Sequence, residues 1–439
     1  MKSKKAIFIL MGMLFSIQLL AQQNKHVLLI SIDGFRSEFY LEDGWETPNL
    51  RKLMKQGVYT KGIHSIFPSV TYPSHTTIIT GAYPDKHGIF YNVPRGVSNG
   101  HWNWEANLIK TETLWDACKR AGLTSGAVMW PVTVGAPITY NVPVRRANND
   151  EKKDQLTITK PLTNPVGLID EMVKNKVIAG KAEDFKYPQL DKTIGDMSAY
   201  ILATNKPNLM AVHFIGADHY QHTDGKDSKQ TRDAVALIDR EVGVLLNTLK
   251  EKGMMDRTTV IVTGDHGFVD DEYAVSPNIW LAKMGLIDDK GWKAKFFTPG
   301  GSAFLYVKDE KLIPGIVKML SELPADQKLF ELKDRKQLDA VGADPSAALA
   351  LAFKKGVVGK QNIKGEIVVP IKGGGNHGYY PDFHEIKTGF IISGAGVVAH
   401  KELKNKDMGV KDIAPLINNL LQLNFKSKDG VLYPGILKK

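Results

Sequence analysis

His26-Val27-Leu28-Leu29-Ile30-Ser31-Ile32-Asp33-Gly34 is the stretch from which the fold is read. It is short, almost wholly apolar, and ends in an acid and a glycine. Alternate residues of a strand face opposite sides, so an uninterrupted apolar run needs cover on both faces. Strands inside parallel sheets have this pattern. Similar runs recur at Ser125 to Trp130, Leu209 to Ile215, Thr258 to Gly264 and Gly389 to Ser393. Helical patterns separate several of them. Thr47 and Pro48 read as the cap and first residue of a helix whose Leu50, Leu53 and Met54 face one way and which Gly57 ends. Val235, Ile238, Val242, Leu245 and Leu249 keep helical spacing through residues 230–252, with Gly253 after them. Strands alternating with helices predict an α/β fold, a mostly parallel sheet covered by helices on both faces. Active sites of such sheets sit beyond the carboxyl ends of the strands.

Two stretches fit the rhythm less well. Residues near 139–190 carry the charged segment Asn148 to Asp154 and several prolines, and residues near 278–370 have Gly- and Lys-rich turns. They read as a cap insertion and a small subdomain within a single catalytic domain spanning residues 22–439. The 439 residues are 43% hydrophobic and 24% charged, which excludes a disordered chain and a disulfide scaffold. The single cysteine, Cys118, excludes an intramolecular disulfide and a cysteine-based zinc cluster. Lys2, Lys4 and Lys5 precede the apolar run Ala6 to Leu20, then Ala21. This predicts a signal peptide over residues 1–21, a periplasmic or secreted protein, and no stable membrane span after its removal. The net charge is +10, its sources are scattered, and no nucleic-acid-binding motif appears. The excess reads as solvated surface that suits an anionic small-molecule substrate.

Metal-type residues gather at three strand ends. Asp33 closes the first run, and Asp265-His266-Gly267 follows the run that ends at Gly264. Gly216-Ala217-Asp218-His219-Tyr220-Gln221-His222 follows the run that ends at Ile215. Asp218 and His222, four apart, share one side of a helical turn, with His219 as a competing ligand. Far downstream, Gly373-Gly374-Gly375-Asn376-His377-Gly378 offers a histidine in a loop of small residues. Each element alone has an ordinary structural explanation, such as a cap or a turn. Jointly they predict a mixed Asp and His metal site of the kind that suits zinc, and a pair of such sites suits phosphoryl transfer. The hydroxyl candidates lie in Phe67-Pro68-Ser69-Val70-Thr71-Tyr72-Pro73-Ser74-His75. Ser74 is placed to cap the helix that follows. The residues alone do not choose among Ser69, Thr71 and Ser74 as a nucleophile.

In order along the chain stand Ile30-Ser31-Ile32-Asp33-Gly34-Phe35-Arg36, the Phe-Pro-Ser-x-Thr-Tyr-Pro-x-His loop, and Thr80-Gly81-x-Tyr83-Pro84-x-x-His87-Gly88-Ile89. Asp218-x3-His222, Gly264-Asp265-His266-Gly267 and Asn376-His377-Gly378-Tyr379 complete the set. Together they resemble the nucleotide pyrophosphatase/phosphodiesterase family of the alkaline phosphatase superfamily. The resemblance implies an alkaline-phosphatase-like fold and two Zn2+ per chain. It implies Asp33, Thr71, Asp265 and His266 around one ion, and Asp218, His222 and His377 around the other. It implies Thr71 as a nucleophile that forms a phosphothreonine, Asn92 as a donor to a non-bridging phosphate oxygen with the Tyr72 N–H beside it, and Tyr72 as a pocket aromatic. Family members often carry Lys and Asn where Val70 and Ser74 stand here. Two other readings compete. One is a phosphate monoesterase on the same scaffold, which needs an extra cation in the pocket. The other is a non-catalytic binding protein stabilised by zinc, for which Thr71 beside Asn92 has no use.

Overall fold

The computed structural model describes residues 26–96, 100–149, 151–404 and 407–438. The segment read as a signal peptide, residues 1–21, lies outside the described residues. At the centre is an eight-stranded sheet. Its strands, in chain order, are β1 (His26–Ile32), β2 (Val58–Tyr59), β3 (Ser125–Val128), β4 (Tyr140–Val142), β5 (Leu209–Phe214), β6 (Thr258–Thr263), β7 (Phe390–Gly394) and β8 (Lys401–Glu402). Across the sheet the order is β8-β2-β7-β6-β1-β5-β3-β4. β1 runs parallel to β5 on one side and to β6 on the other. β7 is antiparallel to both β6 and β2. An apolar run covered on both faces looks the same in either direction, so the sequence pattern did not specify this reversal.

The two faces can be followed residue by residue. In β1, Leu28, Ile30 and Ile32 enter one core while Val27 and Leu29 enter the other. β5 divides in the same way, Met210, Val212 and Phe214 against Leu209 and Ala211. The first core is closed by three helices, α1 (Pro48–Gln56), α3 (Leu190–Asn205) and α5 (Lys229–Glu251), through Leu53, Ile194 and Val242 among others. The second is closed by α2 (Thr71–Thr80) and α6 (Ile413–Leu421), through Ile78, Ile79 and Leu416. Each such side chain contributes about 1.5–3 kcal/mol by leaving water, so the sheet holds its strand ends in place without help from a ligand.

α1 and α5 fall where helical spacing places them. Thr47, however, does not cap α1: its hydroxyl donates to Phe39 O at 2.5 Å. Nor does Ser74 cap a helix, because α2 already begins at Thr71. The segment between β6 and β7 carries an antiparallel four-stranded sheet with its own apolar core, in the order Ala294–Phe297, Ser302–Val307, Leu349–Phe353, Phe330–Lys333. The other irregular stretch, after β4, lies over the carboxyl ends of the central strands as short helical turns that lead into α3.

Candidate active site

Asp33 directly follows β1, and its N–H donates to Phe214 O at 2.9 Å, which fixes the acid against the end of β5. β6 leads through Gly264 to Asp265 and His266, both fully buried. Gly264 has no space for a side chain, since a Cβ there would lie 2.3 Å from Thr388 Oγ1 and 2.5 Å from Phe35 Cβ. Asp265 Oδ1 accepts from the Gly34 and His266 N–H groups at 3.1 and 3.0 Å, so Oδ2 turns toward the site. A helix, α4 (Gly216–Asp224), starts at the end of β5. Asp191, at the start of α3, anchors it by accepting from the Ile215 and Gly216 N–H groups at 2.8 and 2.9 Å. A Cβ at position 216 would lie 2.1 Å from Asp191 Oδ2, which is why glycine stands there. α4 then presents Asp218 and His222 one turn apart, with His222 Nε2 3.4 Å from Asp218 Oδ1.

Three imidazoles are oriented by the backbone. His222 Nδ1 bonds Gly375 O at 2.8 Å, His377 Nδ1 bonds Ser69 O at 2.8 Å and His266 Nδ1 bonds Gly267 O at 3.0 Å. A carbonyl only accepts, so each Nδ1 carries a proton and each Nε2 is presented to the acids. His377 Nε2 lies 3.6 Å from Asp218 Oδ1, and its ring stacks on His266 with centroids 3.6 Å apart. His266 Nε2 lies 3.3 Å from Asp33 Oδ1 and 3.1 Å from Asp265 Oδ2. Asp33, Asp265, His266, Asp218, His222 and His377 thus converge, and His266 faces both groups that the resemblance keeps apart.

The electrostatics call for positive charge. Burial opposes ionisation of Asp33, yet the hydrogen bond from His213 and the positive charge of His266 beside it outweigh it and hold the carboxyl well below its usual range. Burial likewise opposes charge on His266, but Asp265 and Asp33 prevail and push its pKa well above the ordinary imidazole value. Burial, followed by repulsion from Asp33, pushes Asp218 up to about 6. Asp33 Oδ1, Asp218 Oδ1, Asp265 Oδ2 and His266 Nε2 are buried without a hydrogen bond of acceptable geometry. Donors around a tetrahedral zinc lie on the order of 3.3 Å apart. The contacts of 3.1 to 3.6 Å across this cluster match that spacing, so the residues fit metal ions.

Among the hydroxyls, Thr71 lines the cleft. Ser69 is fully buried, its hydroxyl donating to Tyr379 O at 3.1 Å, and Ser74 is fully buried beside Ser65. His75 pins the start of α2, Nδ1 to Thr71 O and Nε2 to Ser31 Oγ, both at 2.8 Å. Burial and the neighbouring His213 push His75 down to about 3, so it is neutral. Asn92 Oδ1 accepts from the Tyr72 N–H at 2.8 Å. That N–H is therefore engaged with Asn92 rather than free for a substrate oxygen, as the resemblance had it. With its oxygen taken, Asn92 is left to donate through Nδ2 into the cleft it lines.

The cleft encloses about 520 Å³. Tyr72 forms part of its wall together with Trp102, Arg146, Lys186 and Tyr187. His219, the competing ligand in the sequence, instead stacks on Tyr187, with centroids 4.0 Å apart and planes 6° from parallel. Sequence reasoning missed Asp191 and His213. His213, inside β5, bonds Met129 O through Nδ1 at 3.0 Å and lies 3.1 Å from Asp33 Oδ2 through Nε2. Its signal was a lone polar side chain in the apolar run Leu209 to Ile215.

A mostly parallel sheet with acids and histidines gathered beyond its strand ends is an alkaline-phosphatase-like fold. Residues 27–379 match the family model described as type I phosphodiesterase / nucleotide pyrophosphatase, and the chain belongs to that metal-dependent family. It is 23% identical over 428 residues to ectonucleotide pyrophosphatase/phosphodiesterase family member 7 of Rattus norvegicus, covering 95% of this chain and 87% of the relative. The solved structure of human ectonucleotide pyrophosphatase/phosphodiesterase 5 shares the fold at a TM-score of 0.65 and 21% identity, over 93% of this chain and 97% of that one. The murine counterpart, an inactive threonine-to-alanine variant in complex with AMP, has a TM-score of 0.63 at 19% identity, over 93% of this chain and 97% of that one. Among the described residues, no helix is long and apolar enough to cross a membrane.

Proposed function

We propose that the chain is a zinc-dependent phosphodiesterase/nucleotide pyrophosphatase that works through a covalent phosphothreonine at Thr71. One observation carries this reading: Thr71 opens at the start of α2 into the same cleft as Asp33, Asp218, His222 and His377. Two zinc ions held by Asp33, Thr71, Asp265 and His266, and by Asp218, His222 and His377, would supply Lewis acidity that lowers the hydroxyl pKa and balances phosphoryl charge. Thr71 Oγ attacks the phosphorus in line, the O–P bond forms, and the bond to the leaving oxygen breaks. The phosphoryl group, still carrying its nucleoside, is then esterified to Thr71. Water cleaves that ester, releases a 5′-nucleotide and restores the hydroxyl. Asn92 Nδ2 donates to a non-bridging oxygen, held for that task by the Tyr72 N–H on its other end. The positive end of α2 adds to the same field. Tyr72 gives the organic substituent an apolar surface.

Export to the periplasm or the exterior belongs to this reading. The basic and apolar pattern of residues 1–21 supports it, as do the relatives named ectonucleotide enzymes. The test compares zinc-loaded protein on a nitrophenyl-nucleotide diester and on nitrophenyl phosphate. The diester turns over faster if the reading holds. Faster turnover of the monoester replaces it with the phosphatase.

A further inference from the structure

We infer that Tyr306 is a positioning residue for the phosphoryl site: through the hydroxyl of Tyr91 it fixes the loop that aims the Asn92 amide. The antiparallel subdomain between β6 and β7 is then a brace for the site. The inference rests on the role proposed for Asn92 and deepens it.

Alternation along one strand of that subdomain separates two apolar clusters. In Ser302–Val307, Ala303 and Leu305 face the subdomain's own core. Phe304 and Tyr306 face the other way, into a small cluster that also holds Phe67 and Tyr91. Both of these belong to loops of the site. Phe67 stands in the loop that leads to Thr71, and Tyr91 directly precedes Asn92. Phe304 meets the Phe67 ring at 4.8 Å and the Tyr91 ring at 5.5 Å. The start of the same strand holds the His377 loop. There the Gly301 N–H donates to His377 O at 2.8 Å, and Ser302 Oγ donates to Gly378 O at 2.7 Å. One strand therefore touches the loops of Thr71, Asn92 and His377.

Ring packing alone does not fix an orientation, because apolar contact is non-directional. The hydroxyls supply the direction. The Tyr91 and Tyr306 oxygens are 2.5 Å apart, and Tyr306 donates to Asp344 Oδ2 at 2.7 Å. That spends the one proton of Tyr306, so Tyr91 is the donor within the pair. All three residues are buried. Asp344 is fixed in turn, its Oδ1 accepting from the Ser346 N–H and hydroxyl at 2.9 and 2.6 Å. On the main-chain side, Asn103 Nδ2 donates to Tyr91 O at 2.7 Å, and the Asn103 N–H donates to Asn92 O at 3.0 Å. The Tyr72 N–H holds Asn92 Oδ1 at 2.8 Å. Asn92 is thus gripped by its amide oxygen, its main chain and the ring before it. Neither Tyr91 nor Tyr306 lines the cleft, so both act through Asn92.

The test is a mutant cycle on zinc-loaded protein with a nitrophenyl-nucleotide diester. Tyr306→Phe keeps the ring and removes the hydroxyl. Its kcat should fall roughly 5- to 20-fold, the scale of a misaimed contact, with KM within about twofold of wild type. Tyr91→Phe should lose a similar amount, and the pair together no more than either alone. In an Asn92→Ala background, Tyr306→Phe should change kcat by less than about twofold, because the group it positions is gone. The control is Trp280→Phe, which loses a bond to Gln327 Oε1 of 3.0 Å in the same subdomain's core. It should keep wild-type kcat. An undiminished Tyr306→Phe loss in the Asn92→Ala background would overturn the inference. So would an equal loss in Trp280→Phe, a loss in KM alone, or no loss. If Tyr306→Phe does not fold, Tyr91→Phe carries the same cycle. Faster wild-type turnover of nitrophenyl phosphate than of the diester would instead reject the phosphodiesterase reading. The cycle run on that monoester would still decide the role of Tyr306, since either ester presents non-bridging oxygens to Asn92.

Discussion

The floor and the wall of the cleft are built on different principles. On the floor, Asp33, Asp265 and His266 are buried directly beyond two adjacent strands, and Asp191 fastens the start of α4 under Asp218. Every imidazole there has one nitrogen bonded to a main-chain carbonyl. On the wall, Arg146 and Lys186 are exposed and stand on irregular backbone, held by ring contacts and solvent-facing pairs. The floor is therefore rigid because the sheet is rigid, and the wall can change without disturbing it. Floor substitutions should lower kcat, and wall substitutions should raise KM.

The largest effect belongs to Thr71→Ala, which should cost roughly three or more orders of magnitude in kcat, the scale of a deleted covalent nucleophile. Full activity would reject the mechanism. His377→Ala should likewise abolish activity and lower metal content, while circular dichroism stays native because the two apolar cores carry the fold. Asn92→Ala should lose less, on the order of 10²-fold in kcat, as for one oxyanion donor. If the loss appeared only in KM, Asn92 would belong with the wall.

Asp191→Ala should fall below these. It frees the Ile215 and Gly216 N–H groups and loosens α4, so activity should drop roughly tenfold with weaker metal retention, as for outer-shell support. Unchanged metal content would separate Asp191 from the floor. The smallest effect is expected behind both regions, at Glu241 of α5. Burial, with Asp196 adding to it, pushes this carboxyl from its usual value of 4.5 up to about 7. The unfolded chain ionises it near pH 4.5 while the folded chain keeps the proton, so stability from this group declines as pH rises through that window and is level above about 7. Glu241→Gln should therefore raise Tm slightly at about pH 8 and leave it unchanged at about pH 4. A uniform shift at both would contradict the assignment.

The same contrast explains what the sequence made legible. Asp33 and Asp265 stand where apolar periodicity breaks, so a strand end announces them, and Asp218 with His222 announces itself by helical spacing. The resemblance added His377 and Thr71, which periodicity alone leaves among alternatives. Asp191 was not legible because its partners lie 24 and 25 residues away and its job is to bond two main-chain groups. Arg146 was not legible because aromatic packing from another segment, not a local pattern, orients it. The direction of β7 was hidden because burial on both faces erases the difference between parallel and antiparallel runs.

The covalent step is the centre of the account, and acid quenching followed by peptide mass spectrometry tests it directly. Zinc-loaded protein mixed with a nitrophenyl-nucleotide diester should yield a peptide containing Thr71 that is heavier by one nucleotidyl group, the adduct mapping to that threonine and absent from Thr71→Ala. An adduct on Ser69 or Ser74, or turnover with no adduct at any quench time, would contradict it.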